Sequence, residues 1–136
     1  MSESLSRGEV DIRVRYAETD AMGYLHHANY FVYFEMGRTE LLRQCGLRYR
    51  EMEQRGLFYV VARLQCRFRK PASYDDDLVL TTICEKLTRV RVDHRYELRR
   101  AGELLTDASS TLVLVDRDGK PTGMPDEWYA LMTAAT

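Results

Sequence analysis

The segment from about Ala28 to Cys45 limits what this chain can fold into more than any other part of it. Its second half, with Glu40, Leu41, Leu42 and Arg43, is built from good helix formers, and Gly46 stands where a helix-ending glycine belongs. In its first half, Tyr30, Phe31, Val32, Tyr33, Phe34 and Met36 point in nearly every direction around a helix axis. A helix that is apolar on all sides is a buried helix. The rest of the chain therefore has to wrap around it.

The rest reads as strands. Val10, Ile12, Val14 and Tyr16 alternate with Asp11, Arg13 and Arg15, which predicts a first strand from Val10 to Tyr16. From Arg63 to Lys70, Leu64, Cys66 and Phe68 alternate with Arg63, Gln65, Arg67 and Arg69. The run LVLTTIC lies between Asp77 and Lys86. From Arg89 to Arg99, Val90, Val92, His94, Tyr96 and Leu98 take one face, and Arg89, Arg91, Asp93, Arg95, Glu97 and Arg99 take the other. A last strand from Leu104 to Asp116 ends at the turn pair Asp118-Gly119. A short helical turn near Tyr49 to Arg55 and a closing helix in PDEWYALM complete the count. One wet face per strand is the pattern of an antiparallel sheet. A buried helix with about five such strands makes an α+β fold in which the sheet curls round the helix.

At 136 residues, with 45% hydrophobic and 30% charged residues, the chain is expected to form one domain over 1–136. A formal net charge of -1 leaves no basic field for nucleic acid or a membrane surface. Of the 20 basic residues 17 are Arg, which reflects either a composition bias or phosphate recognition by forked guanidinium groups. Cys45, Cys66 and Cys84 are widely spaced and odd in number, and they read as free thiols of a reducing compartment. No apolar run approaches the roughly 20 residues of a membrane helix. The opening MSESLSRGEVDIRV lacks an apolar signal core, so a cytoplasmic protein without membrane insertion is expected.

The chemistry is concentrated in Tyr16-Ala-Glu-Thr-Asp20-Ala-Met-Gly23-Tyr-Leu-His-His27-Ala-Asn29-Tyr30. An acid, a glycine and two histidines stand immediately before the buried helix. The start of a helix leaves N–H groups unpaired and carries partial positive charge, so it stabilises an oxygen that gains negative charge. A carboxylate seven residues upstream can reach the same point across a tight loop. Asp20 then reads in two ways: as the base or nucleophile of an acyl-transfer site, or as a turn or capping residue.

These residues resemble the motif of the 4-hydroxybenzoyl-CoA thioesterase family, including its Tol-Pal-associated acyl-CoA thioesterases. The pattern is Tyr, three residues, Asp, two residues, Gly, then a His-containing step into Asn-Tyr, with Glu35 and Arg38 following on the helix. Gly46-Leu47 and Arg69-Lys70-Pro71-Ala72-Ser73-Tyr74-Asp75-Asp76 extend the likeness over nearly the whole chain. The resemblance implies a hot-dog fold, a long central helix wrapped by a curved antiparallel sheet of about five strands. It implies hydrolysis of an acyl-CoA thioester, without metal or cofactor, at a site between subunits of a homodimer or homotetramer. It assigns catalysis to Asp20, with His27 and Tyr16 beside it and the His27 N–H on the thioester carbonyl. Gly23, Asn29, Tyr30, Arg89 and Arg91 are the implied substrate-binding residues. Arg89 matches one member of a basic trio that holds the CoA nucleotide, while Thr88 and Val90 occupy the other two places and Arg91 compensates.

Rival assignments are an acyl-thioester dehydratase or hydratase and a non-catalytic acyl-CoA-binding protein. The acid here precedes the helix, which favours hydrolysis. Several residues have plainer expected roles. His26 and His27 are adjacent, so their side chains are expected to diverge and not to share a metal. His94, on the apolar face of its strand, is expected to be a satisfied core histidine. Glu35 is expected to pair with Arg38.

Overall fold

Helix α1 (His27–Gln44) packs along one side of a five-stranded antiparallel sheet. The computed structural model describes residues 6–134. The opening MSESL, on which part of the reading of the N-terminus rests, lies outside the described residues. The strands are β1 (Ser6–Arg13), β2 (Phe58–Phe68), β3 (Asp77–Leu87), β4 (Arg91–Arg100) and β5 (Glu103–Val115), in the spatial order β1-β3-β4-β5-β2. Two further helices, α2 (Tyr49–Gln54) and α3 (Asp126–Ala134), and a single 3-10 turn at Tyr16–Glu18 complete the described elements. This is the α+β fold expected, with the curved sheet and long helix of a hot dog.

Helix α1 buries Tyr30, Tyr33, Phe34, Gly37, Leu41 and Leu42, a stripe at helical spacing that faces the sheet. Phe34 is fully buried, and its ring stacks on Tyr96 of β4 at 4.6 Å between centroids. The helix ends as the sequence predicts. Gly46 has φ of 89°, its N–H donates to Arg43 O, and the Leu47 N–H donates back to Leu42 O. Leu47 and Leu42 are both buried there, which is the apolar contact that accompanies such a C-cap.

Wrapping is less complete than the sequence suggests. Val32 is 48% and Met36 42% exposed, because the sheet covers one side of α1 and these two project from the other. Glu35 lies on that open side and makes no ion pair among the described residues. Arg38, the partner expected for it, instead donates to the Tyr96 hydroxyl at 3.4 Å.

The strand ends shift for identifiable reasons. The backbone leaves the sheet after Arg13, so Val14 is buried beyond the strand and Tyr16, on the 3-10 turn, is 78% exposed. β2 begins at Phe58, ahead of the alternating stretch, and a bulge separates Val61 from Arg63. Arg89 precedes β4: the Thr88 hydroxyl accepts from the N–H groups of Val90 and Arg91 and turns the chain there.

Candidate active site

The loop from Tyr16 to His26 folds as a narrow ladder. The Asp20 N–H donates to Tyr24 O at 2.8 Å, Thr19 bridges to Leu25, and the His26 N–H donates to Glu18 O at 2.9 Å. Glu18, Thr19 and Asp20 therefore stand opposite His26, Leu25 and Tyr24, and Asp20 lies two rungs, roughly 7 Å, from the rung that meets the helix start. Gly23 closes the turn with φ of 77°, a value that favours glycine, and its N–H donates to Asp20 O at 3.0 Å. Asp20 is exposed. Its Oδ1 accepts from the N–H groups of Met22 at 2.8 Å and Tyr24 at 3.1 Å. The turn role of this aspartate is therefore real, but it engages one carboxylate oxygen. Oδ2 has no hydrogen-bond partner among the described residues.

The head of α1 is capped so that one donor is left over. The Ala28 N–H donates to His26 Nδ1 at 3.2 Å, and the Asn29 N–H donates to His26 O at 2.9 Å. With the His26 N–H taken by Glu18 O, only the His27 N–H at this end has no acceptor among the described residues. The His26 and His27 rings do not diverge as expected: they stack at 4.2 Å between centroids, since His26 folds back to cap the helix.

The other named residues are placed unequally. Tyr16 stands beside the loop, edge-on to Tyr74 at 5.7 Å, with its ring in solvent. Asn29 ties the helix to the loop by donating from Nδ2 to Glu18 O at 2.9 Å. Tyr30 is buried, and its hydroxyl accepts from the Ala72 N–H at 3.4 Å. Arg89 and Arg91 are not brought to this site within the protomer. The Asp20 loop sits over Ala72–Tyr74, at the Arg100 end of β4, whereas Arg89 and Arg91 lie at its other end, roughly 30 Å away for a ten-residue strand. They do not share a strand face either. Arg89 pairs with Asp126 at 2.6 Å and covers the Tyr129 ring, and Arg91 grips Asp93 with two bonds of 3.0 Å.

The sequence pattern does not single out Glu18. It is a buried carboxylate that accepts from the Arg15 N–H at 2.9 Å, from Arg15 Nη2 at 3.1 Å and from the Tyr33 hydroxyl at 2.8 Å. Burial alone would raise its pKa. The Arg15 and Tyr33 hydrogen bonds outweigh that and hold it below the ordinary glutamate value. The one available signal was its i+3 spacing from Arg15, which surface pairs share.

Residues 22–106 match the thioesterase superfamily, and the chain belongs to that family. YneP of Bacillus subtilis is 38% identical over 109 residues, covering 79% of this chain and 79% of that protein. The protein named acyl-CoA thioesterase YbgC in Haemophilus influenzae is 31% identical over 118 residues, 85% of this chain and 87% of its own. Among solved structures, the DHNA-CoA thioesterase of Staphylococcus aureus superposes with a TM-score of 0.90 at 31% identity, covering 94% of this chain and 89% of that one.

Proposed function

We propose that this thioesterase hydrolyses acyl-CoA to a free acid and CoA, with Asp20 as its catalytic carboxylate. The observation that carries this reading is that, among the described residues, the His27 N–H at the head of α1 has no acceptor and lies close along the loop to an aspartate with one unengaged oxygen. A thioester carbonyl oxygen at the His27 N–H meets both a donor and the positive end of the helix as it gains charge. Asp20 Oδ2 then attacks the carbonyl carbon, expelling CoA thiolate and leaving a mixed anhydride that water hydrolyses, or it takes a proton from an attacking water. In this reading His27 and Tyr16 assist the carboxylate once substrate is bound, while Gly23 shapes the turn and Asn29 and Tyr30 tie the helix to the segments beside it.

In this reading the working unit is at least a homodimer in the cytoplasm. β2 is a sheet edge of 11 residues, and Val60, Val61, Leu64 and Phe68 on it are exposed. A long apolar edge of that kind invites a second copy. In the same reading the partner supplies a second wall over the exposed Asp20 and brings its own Arg89 and Arg91 toward the CoA phosphates. In the described residues no helix is long and apolar enough to cross a membrane. The test is a panel of short, long and aromatic acyl-CoA thioesters with a thiol-detecting dye. Enzyme-dependent CoA release from at least one class is expected, and a purified protein that releases none, or that hydrates an enoyl-CoA instead, contradicts the proposal.

A further inference from the structure

We infer that Glu18 is a positioning residue for the hydrolysis, fixing where Asp20 stands relative to the free His27 N–H; this inference rests on the reading of those two groups given above. Glu18 grips both sides of the site. Its backbone carbonyl accepts from the His26 N–H and from Asn29 Nδ2, each at 2.9 Å, so it holds the first turn of α1. Its carboxylate reaches the same helix further along, at the Tyr33 hydroxyl, 2.8 Å away, and is steadied from the loop side by Arg15. Asp20 follows two residues later on the same ladder.

A buried carboxylate carries a large desolvation cost unless charge and hydrogen bonds offset it, and here one guanidinium, one N–H and one hydroxyl converge on it. That provision is more than a three-residue turn requires. The Asp20 turn closes through its own bonds to Met22, Gly23 and Tyr24, without Glu18. What Glu18 adds is the registration of that turn against the helix. Loosening it leaves Asp20 chemically intact but misaligned, and a misplacement of about 1 Å can cost about a hundredfold in rate.

The experiment compares Glu18→Gln, Tyr33→Phe, the double variant and Asp20→Asn in steady-state CoA release from the best acyl-CoA of the panel, with thermal melts alongside. Glu18→Gln keeps the shape and removes the charge; Tyr33→Phe removes only the tie to the helix. Both single variants are expected to lose about ten- to a hundredfold in kcat with KM within about threefold. The double variant is expected to be little worse than the poorer single variant, because the neutral amide weakens, and the lost hydroxyl removes, the same tie between loop and helix. Folded single variants within twofold of wild-type kcat, or losses that multiply in the double variant, overturn the inference and leave Glu18 as a turn cap. Should Glu18→Gln not fold, Tyr33→Phe decides alone. An inactive Asp20→Asn beside fully active Glu18 and Tyr33 variants overturns this inference only, whereas a fully active Asp20→Asn overturns it together with the reading on which it rests.

Discussion

His94 shows how one side chain can tie stability to pH without touching the chemistry. It sits on the inner face of β4, buried, and its Nδ1 has no hydrogen-bond partner among the described residues. The histidine is thus in the core, as its alternation predicts, but it is not satisfied there. Burial and the neighbouring Arg38 push its pKa down from 6.5 to about 3, with Asp93 opposing weakly. The folded state therefore keeps a neutral imidazole where the unfolded chain takes up a proton. Its contribution to stability is fully present above about pH 6.5 and is lost as pH falls toward about 3. The loss approaches about 1.4 kcal/mol per pH unit. Urea unfolding of wild type and His94→Leu at pH 7 and pH 5 checks this. The wild type should lose more stability between the two than the variant, and equal losses would mean that the imidazole titrates as it does in the unfolded chain. Asp20 and Glu18, two residues apart, show a similar contrast: one carboxylate lies in solvent with a free oxygen, and the other is buried with all its donors inside the protein.

Helix α1 meets the sheet at Gly37. A Cβ there would lie 2.3 Å from Thr82 Oγ1 and 2.8 Å from Leu80 Cδ2, so the helix backbone rests directly on β3. Alanine is the better helix former by about 1 kcal/mol, yet overpacking commonly costs about 1–3 kcal/mol. Because β3 is an interior strand, we expect the clash to win. Gly37→Ala should lower the urea midpoint by the equivalent of about 1–2 kcal/mol, and a raised midpoint would show that α1 lifts off β3 freely. The same elements differ in how much of them is legible in the sequence. β4 and β5 are readable because their buried positions alternate with part-exposed ones, so a period of two survives in the sequence. The start of β2 is not, since Phe58, Tyr59, Val60 and Val61 are apolar in succession and carry no period. Arg89 looked like strand because it continues the alternation of β4, but the Thr88 turn acts through hydrogen bonds that alternation does not register. Apolarity around α1 predicts complete burial, whereas Val32 and Met36 face outward. In the loop, Asp20, Gly23 and the helix start were legible as a motif, while Glu18 was not, because its role depends on Tyr33 fifteen positions away.

On the scale of the whole molecule, the proposed site is one that a second copy completes. The Asp20 loop lies exposed at one end of the sheet, and the 11-residue β2 edge is unpaired on its outer side within the protomer. Light scattering at micromolar concentration should therefore give a dimer or a dimer of dimers, and a fully active monomer would remove the shared site from the account. The central claim is tested most directly by CoA release from the preferred acyl-CoA by Asp20→Asn. The change is nearly isosteric, and asparagine keeps an oxygen for the Met22 and Tyr24 N–H groups, so the turn and the melt should be preserved. It supplies neither a carboxylate base nor a competent nucleophile. A fall in kcat of about 10²–10⁴-fold with KM little changed is the predicted result. A folded Asp20→Asn protein within threefold of the wild-type rate would contradict it.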